Sequence, residues 1–320
     1  MIKILELFGG IGSPRKALIN LGIPVKAIDY VEIDEKAVKS YNSIFKKDLE
    51  YKTQNVVGYN LKPDILIHGS PCQNFSIAGK QEGGDKGSNT KSSLMWETIN
   101  IINQMGEWKP KVVIWENVKN VLSKHMIHNF NLYLSEMESM GYTNSYEVLN
   151  ALDFGLPQRR ERVFTISMLN DLEFNFNKLE RKAYRPMSEF LEDTKEDRYI
   201  VTQPSILKKI NNSNSKFKGK IYIIKDYCMT ITTKQMRCPN SGVIDLKDGQ
   251  YRYLTERECW RLQGYDDEDF EAALKSNPSR QGKLNGALYK QAGNSIPVPI
   301  FESIFKELFN FMEFNQYLKN

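Results

Sequence analysis

The residues with the clearest capacity for chemistry are a cysteine and a glutamate, each at the end of an apolar run. Cys72 follows the apolar residues 64–68 in a Gly-Ser-Pro-Cys-Gln segment, where Pro71 restricts the backbone that presents the thiol. Glu116 follows a second apolar run, residues 112–115. A lone cysteine is more often a buried small hydrophobe than a nucleophile. A thiol and a carboxyl group at neighbouring strand ends would, however, supply a nucleophile and an acid for one reaction.

The composition limits the classes of protein to consider. With 320 residues, 41% of them hydrophobic, the chain is expected to form one large domain and a smaller one. The 44 basic and 39 acidic residues give a net charge of +5, which is compatible with a nucleic-acid partner without requiring one. The four cysteines form no CxxC pair, so neither a metal site nor a disulfide framework is predicted. No segment is apolar over a bilayer-spanning length, and we expect a soluble protein of a reducing compartment.

The first half of the chain alternates apolar runs with amphipathic stretches, a pattern typical of β-α-β units around a largely parallel sheet. The expected fold class is therefore α/β. Predicted strands cover residues 2–7, 25–31, 55–57, 64–68, 111–115, 146–152 and 162–167. Helices are predicted between them, and a last helix over residues 299–311.

The composition changes after Leu169. Residues 171–250 are rich in Lys, Asn, Asp and Glu and contain short β-like pieces at 220–224 and 229–233. We therefore predict two domains: residues 1–170 together with 286–320, and a smaller, irregular, β-rich domain over residues 171–285. Within the second domain, residues 255–264 are expected to pack as a helix.

A glycine-rich turn follows the first predicted strand, where a doubly wound sheet admits a ligand. Its sequence is Phe-Gly-Gly-Ile-Gly at residues 8–12, and such a cluster alone is equally compatible with a plain tight turn. Glu32 ends the second predicted strand about twenty residues further on, a position from which an acidic side chain binds ribose hydroxyl groups. The third glycine of a GxGxxG motif is missing. An adenosine-containing cofactor without a pyrophosphate therefore fits better than NAD.

Taken in chain order, these blocks resemble those of C5-cytosine-specific DNA methyltransferases of bacterial or phage type. The matching blocks are the turn 8–12, Glu32, Pro-Cys-Gln-Asn-Phe-Ser at 71–76, Glu-Asn-Val at 116–118, Gln-Arg-Arg-Glu-Arg at 158–162, residues 254–264, and Gln-Ala-Gly-Asn-Ser at 291–295. The resemblance covers nearly the whole chain except about residues 171–250. It implies a Rossmann-like S-adenosylmethionine-dependent methyltransferase sheet, with residues 171–285 as a target-recognition domain.

The resemblance also implies a reaction, which is methyl transfer to C5 of a cytosine flipped out of double-stranded DNA. C5 is too weak a nucleophile by itself. Addition of the Cys72 thiolate to C6 turns C5 into an enamine carbon. Glu116 would hold or protonate N3. Arg160 and Arg162, which alternate along a predicted strand, would contact the flipped base and its backbone. The sequence does not identify the base that removes the C5 proton, which is either a bound water or a side chain.

Further site residues are assigned by the same resemblance. The residues expected to bind substrate are Gln73, Ser76, Asn117 and Gln158. Those expected to bind S-adenosylmethionine are Phe8, Gly10, Ile11, Gly12, Glu32, Ile33, Asn55, Val56, Pro71, Leu94, Asn294 and Ser295. One departure stands out, because the family usually places an aspartate where this sequence offers Asn55. Retained but weaker cofactor binding is expected, and no metal ligand is expected.

The expected partner is double-stranded DNA, bound by a monomer without an obligate protein partner in the bacterial cytosol or nucleoid, as in a restriction–modification system. Two alternatives are considered. A tRNA cytosine-C5 methyltransferase shares the Pro-Cys-Gln and Glu-Asn-Val blocks, but its cysteine-containing signature is missing unless the region of Cys228 is a diverged version. A non-catalytic DNA-binding regulator with the same fold is disfavoured by the intact Cys72, Glu116 and Arg162. No residue pattern reveals the recognition sequence.

Overall fold

A six-stranded mixed β-sheet organises the N-terminal half of the protein. The computed structural model describes residues 2–45, 50–57, 61–70, 91–211 and 221–310. The strands are β1 (Ile2–Leu7), β2 (Val25–Val31), β3 (Ile65–His68), β4 (Val112–Val118), β5 (Tyr142–Asn150), β6 (Gln158–Arg159), β7 (Glu161–Leu169), β8 (Cys228–Met229), β9 (Ile244–Asp245) and β10 (Tyr251–Arg252). Strands β1–β5 and β7 form the large sheet.

The order of the strands brings several carboxyl ends to one edge of this sheet. The order is β2-β1-β3-β4-β7-β5, with β1 parallel to β2 and β3, β3 parallel to β4, and β7 antiparallel to β4 and β5. The register pairs Leu7 with His68 and His68 with Trp115, so β1, β3 and β4 reach this edge at the same level. The crevice between β1 and β3, where the strand order reverses, is where open α/β sheets bind ligands.

Helices cover both faces of the sheet. They are α1 (Ser13–Asn20), α2 (Glu35–Ile44), α3 (Met95–Gln104), α4 (Ile127–Ser139), α5 (Pro204–Asn211), α6 (Glu256–Arg261), α7 (Asp267–Ser276), α8 (Gly286–Asn294) and α9 (Val298–Asn310). Because side chains alternate along a strand, Ile4 and Ile114 belong to the core shared with α1 and α9. Leu5 and Trp115 belong to the opposite core, shared with α3 and α4. The predicted α/β fold class is confirmed.

The region 171–285 is less regular than the sheet. Its described residues contain the two-residue strands β8–β10 and the helices α5–α7. Strand β8 pairs in parallel with β6, and β9 pairs with β10 in an antiparallel ladder. A separate small core joins Val201, Ile206, Val243 and Tyr253. Within the described ranges, no helix is both long enough and apolar enough to cross a membrane.

Three short predicted strands are corrected by the structure. Residues 55–57 form no strand, because Asn55 Oδ1 accepts a hydrogen bond from Val57 N at 3.0 Å and closes a local turn. Residues 221–224 contain a single bridge from Ile223 to Val243, and of residues 229–233 only Met229 lies in a strand. Runs this short bury little apolar surface, so local side-chain bonds and tertiary packing decide their conformation.

Residues 254–294 join the smaller region to the sheet and its helices. The predicted helix is present as α6, but Cys259, Trp260 and Leu262 are fully buried in the core that includes α9 and not in the separate core of the smaller region. The carboxyl end of α7 lies against α2, where Asn277 Nδ2 donates to Ser40 Oγ at 3.0 Å. The division into residues 1–170 plus 286–320 and residues 171–285 stays a prediction.

Gly293 marks a close approach between α8 and the smaller region. A Cβ at this position would lie closer to the Thr232–Thr233 peptide than van der Waals contact allows. The backbone of residues 232–233 therefore rests directly on α8, and glycine is required at the point of contact.

We expect Gly293→Ala to lower the free energy of unfolding by about 1–3 kcal/mol, because the added methyl group must displace a peptide unit. Elsewhere in a helix the same substitution usually stabilises. Gly286→Ala is the matched control, since it lies in the same helix and its methyl group would meet only the flexible side chain of Met236. Urea unfolding of both variants measures the effect. Equal stabilities would contradict the proposed contact.

Candidate active site and cofactor pocket

A cavity opens at the carboxyl ends of β1, β3 and β4 and encloses about 420 Å³, its open mouth included. Its walls come from the end of β1 and the turn after it, from Ile67 and Gly69, from Glu116, and from residues 294–296. The predicted site residues in its wall are Phe8, Gly10, Ile11, Glu116, Asn294 and Ser295. The predicted residues Pro71, Cys72, Gln73 and Ser76 lie outside the described residues.

The glycine-rich turn leaves β1 with a left-handed backbone. Phe8, Gly10 and Gly12 have φ angles of 56°, 56° and 77°, values that cost glycine little and other residues more. Gly12 is further required because a Cβ there would come within 2.6 Å of the Tyr41 ring. The turn thereby exposes its main chain to the cavity at close range.

Glu32 is fixed beside this turn by backbone amides. Its Oε2 accepts a hydrogen bond from Gly10 N at 3.0 Å, and its Oε1 accepts from Ile33 N at 2.8 Å and Asp34 N at 2.9 Å. The carboxylate therefore has one orientation, at the carboxyl end of β2, before any ligand arrives. Ile33 itself is 71% exposed.

The other predicted cofactor residues lie around the cavity and not in its wall. Residues 54–56 run beside the end of β2, because Gln54 N donates to Glu32 O at 2.9 Å. Asn55 is exposed and its oxygen closes the turn already described, whereas Val56 is buried in the core that contains Leu7. Leu94 is half-buried directly before α3.

Glu116 and Arg162 form an ion pair at the edge of the cavity. Pairing of β4 with β7 places them close together, and Arg162 Nε lies 3.1 Å from Glu116 Oε1. Burial raises the pKa of the Glu116 carboxyl above its usual range, and the positive charges of Arg162 and Arg160 oppose this increase. Gly69 lies beside Glu116, and a Cβ there would make an ordinary contact of 3.4 Å with Oε2.

Ser70 connects the end of β3 to the end of β4. Its Oγ accepts hydrogen bonds from Trp115 Nε1 at 3.1 Å and from Asn117 Nδ2 at 3.4 Å. The Trp115 ring stacks on His68, whose Nε2 lies 2.9 Å from Tyr133 Oη. Burial lowers the pKa of His68 to about 3, so the imidazole is neutral. The predicted substrate residue Asn117 is thus held at the base of the segment that leads to Cys72.

Arg160 and Gln158 occupy interior positions between the two regions. Arg160 lies between β6 and β7 and is 2% exposed. It donates to Ile231 O at 2.9 Å, to Gly293 O at 3.0 Å and to Ser295 O at 2.7 Å. Gln158 Nε2 donates to Leu262 O at 2.8 Å, and its Oε1 accepts from Ile231 N at 3.0 Å. Arg160 thus binds backbone carbonyls while its charge also acts on Glu116, and the roles predicted for Arg160 and Arg162 toward the base stay predictions.

Two buried residues of this site have no counterpart among the sequence predictions. Ser13 Oγ lies 2.9 Å from Ser295 Oγ and 3.0 Å from Tyr265 Oη. Tyr265 also donates to Ile11 O at 3.2 Å. The residues lie some 250 positions apart in the sequence, so no local pattern could have associated Tyr265 with the turn.

Glu6 was also missed, although it lies in the wall of the cavity. It is 1% exposed, and its Oε2 accepts a hydrogen bond from Tyr41 Oη at 2.6 Å. Its Oε1 is buried and has no hydrogen-bond partner within the described ranges. Burial raises the pKa of Glu6 to about 7. An unsatisfied buried carboxyl oxygen beside an open glycine-rich turn suits a ligand that carries an amino group, as S-adenosylmethionine does.

The turn after β1, the carboxylate at the end of β2 and the cavity between β1 and β3 define a Rossmann-like protein with a nucleotide-type cofactor pocket. The sequence model of the C-5 cytosine-specific DNA methylase family matches residues 2–310, and the chain belongs to this family. It is a DNA (cytosine-5-)-methyltransferase that uses S-adenosylmethionine as methyl donor.

Individual relatives agree with this family. The type II methyltransferase M2.ScrFI of Lactococcus lactis subsp. cremoris is 34% identical over 97% of this chain and 99% of that protein. M.HhaI of Haemophilus parahaemolyticus is 29% identical over 99% of this chain and 97% of that protein. The fold is similar to that of the S. pombe Dnmt2 methyltransferase, with a TM-score of 0.74, 20% identity, and 98% and 100% of the two chains covered. The Entamoeba histolytica methyltransferase EhMeth is similar as well, with a TM-score of 0.74 and 18% identity over 97% of this chain and 98% of that chain.

The raised pKa of Glu6 predicts how stability depends on pH. As pH rises from 4.5 to about 7, the unfolded chain releases this proton while the folded protein retains it, so the free energy of unfolding falls. The loss attributable to Glu6 should total about 3 kcal/mol. Urea unfolding of the wild type and of Glu6→Gln across this range measures it. A difference between the two proteins that stays constant with pH would contradict the prediction.

Proposed function

We propose that this enzyme methylates C5 of cytosine within a specific short sequence of double-stranded DNA, through a flipped base and a covalent bond between Cys72 and C6. The observation that carries the proposal is buried Glu116, which pairs with Arg162 and lines the same cavity as the glycine-rich turn. The acid and the cofactor pocket therefore share one space.

Glu116 is suited to act on the cytosine ring as an acid. Burial favours its protonated form, and a protonated carboxyl can donate a hydrogen bond to N3. Addition of a nucleophile to C6 pushes negative charge toward N3, which this proton would stabilise. Arg162, 3.1 Å from Oε1, fixes the orientation of the carboxyl and limits the increase in its pKa.

The proposed role of Cys72 is nucleophilic. Its thiolate forms a bond to C6, and C5 becomes an enamine carbon that accepts the methyl group. S-adenosylmethionine, when bound, supplies that methyl group as an electrophile. The C5 proton then passes to a base, the electrons of the C5–H bond restore the double bond, and the Cys72–C6 bond breaks. That base stays unassigned between a side chain and a bound water. Ser70, two positions before Cys72, is fixed to β4 by Trp115 and Asn117.

The cofactor would lie along the turn after β1. Gly10 and Gly12 let it approach the main chain, Glu32 would accept bonds from ribose hydroxyl groups, and Glu6 Oε1 offers an acceptor for the amino group. Phe8, Gly10, Ile11, Asn294 and Ser295 would form the wall, with Ile33, Asn55, Val56, Pro71 and Leu94 around it. The turn that engages the Asn55 oxygen supports weaker binding of the adenine amino group.

The DNA would bind between the sheet and the region 171–285, which we propose reads the target sequence. Flipping is required because C6 of a stacked base is closed to a thiolate. Gln73, Ser76, Asn117, Gln158, Arg160 and Arg162 are the residues proposed to hold the flipped nucleotide. The enzyme would act as a monomer in the cytosol or nucleoid of a bacterium; similar proteins are type II methyltransferases of bacteria.

The substrate is tested by label transfer. Tritiated S-adenosylmethionine is incubated with the full-length protein and either duplex DNA or tRNA, and label is expected in DNA alone. Cys72→Ser should abolish transfer while DNA binding persists. Label in tRNA alone would overturn the DNA assignment. Absence of a covalent adduct between the wild type and duplex DNA containing 5-fluorocytosine would overturn the Cys72 route and favour a non-catalytic regulator.

Glu116→Gln tests the acid. The amide cannot supply a proton to N3, so kcat should fall by about 10²–10⁴-fold. Glu161→Gln is the matched control: it changes an exposed carboxylate paired with Lys119 one position before Arg162, and it should leave kcat within about twofold. Single-turnover methylation of duplex DNA measures both variants. A loss of less than about tenfold for Glu116→Gln would place the proton source elsewhere.

A further inference from the structure

Tyr265 reaches the back of the cofactor pocket from outside the sheet. It follows α6, in the segment between residues 262 and 266, and its side chain is 3% exposed. Its hydroxyl donates to Ile11 O at 3.2 Å and lies 3.0 Å from Ser13 Oγ. Tyr265 itself does not line the cavity, whereas Ile11 and Ser13 do.

The hydroxyl groups of three residues form one directed chain. A hydroxyl has a single proton, and that of Tyr265 is given to Ile11 O, so Ser13 must be the donor to Tyr265. Ser295 Oγ lies 2.9 Å from Ser13 Oγ and 3.3 Å from Ile296 O, and its one proton can go to either acceptor. All three residues are at least 95% buried. Tyr265 therefore binds the turn after β1 directly and is connected through Ser13 to Ser295 at the end of α8.

The segment that carries Tyr265 is anchored independently of these bonds. Lys16 Nζ lies 2.6 Å from Asp266 Oδ2 and 2.7 Å from Asp269 Oδ2. Gly264 packs so closely against Pro299 that a Cβ there would come within 2.5 Å of the proline ring. The Tyr265 hydroxyl is consequently a fixed point. Burial also raises the pKa of Tyr265, so it remains a donor at every working pH.

We propose that Tyr265 is a positioning residue for the cofactor, which holds the turn at Ile11 and Ser13 in its binding geometry against Ser295. The turn has left-handed residues at Gly10 and Gly12, and Glu32 and Tyr30 bind Gly10 from the β2 side. Tyr265 binds the turn from the opposite end, at Ile11 and Ser13. Without the hydroxyl, Ile11 O loses a donor and Ser13 loses an acceptor, and both groups line the pocket. The inference rests on the assignment of this cavity to S-adenosylmethionine.

Binding of S-adenosylhomocysteine to the DNA-free, full-length protein tests the proposal by calorimetry. Tyr265→Phe should weaken binding about three- to tenfold, the range expected for one net hydrogen bond. In methylation assays the KM for S-adenosylmethionine should rise while the KM for DNA stays unchanged. A residue that only stabilised the fold would not separate the two constants.

Tyr289→Phe is the matched control. Tyr289 is also fully buried, and its hydroxyl donates to a backbone carbonyl, Leu254 O, at 2.6 Å, but Leu254, unlike Ile11, does not line the cofactor cavity. This variant should lose stability in urea to a similar extent as Tyr265→Phe while its affinity for S-adenosylhomocysteine stays within about twofold of the wild type.

Ser13→Ala provides a second route to the same link. It removes the hydroxyl group that joins Tyr265 to Ser295. The double variant with Tyr265→Phe should bind S-adenosylhomocysteine no more weakly than the weaker single variant. Wild-type affinity in Tyr265→Phe, with a loss of stability like that of Tyr289→Phe, would overturn the positioning role. Failure of the wild type itself to bind S-adenosylhomocysteine would overturn the cavity assignment and this inference with it. A protein that binds normally but does not methylate DNA would leave the inference standing and overturn the proposed function.

Discussion

One buried guanidinium group holds together the segments around the cavity. Arg160 donates to carbonyl groups of Ile231, Gly293 and Ser295, which come from the smaller region, from α8 and from the end of that helix. A buried cation is costly unless such acceptors surround it, so this arrangement is stable only when all three segments are in place. The scaffold of the pocket and the attachment of the smaller region therefore stabilise each other through this one side chain. The second arginine of the pair, Arg162, is left to contact Glu116.

The carboxyl edge of the sheet positions the remaining groups of the site. Parallel pairing of β1, β3 and β4 brings the glycine-rich turn, Ser70 and Glu116 to one level, where their separation is set by strand spacing and not by loop conformation. The neutral imidazole of His68 and the Trp115 ring stack on each other next to Ser70 and Glu116. A rigid floor of this kind is what a reaction between a base and a sulfonium methyl group needs, because both must be held at contact distance.

The sequence predicts well whatever depends on neighbours along the chain. Apolar runs locate the strands of the large sheet, and the turn at residues 8–12 and Glu32 follow from short motifs. The three short strands fail because runs of this length are governed by packing. Arg160 and Arg162 look equivalent in a linear pattern, and only the fold shows that Arg160 binds backbone carbonyls while Arg162 pairs with Glu116. Tyr265 and Glu6 escape sequence analysis because their importance arises from burial and from contacts made by distant segments.

Part of the smaller region, residues 228–233, is attached to the sheet and to α8 through its main chain as well as through buried side chains. Arg160 and Gln158 bond to the carbonyl and amide of Ile231, Gly293 rests on the Thr232–Thr233 peptide, and β8 pairs with β6 by backbone hydrogen bonds. Main-chain contacts of this kind do not depend on the identity of exposed side chains. In the proposed function, where this region reads the target sequence, its exposed residues can therefore change while these contacts are kept. A single scaffold can in this way give rise to enzymes of many sequence specificities.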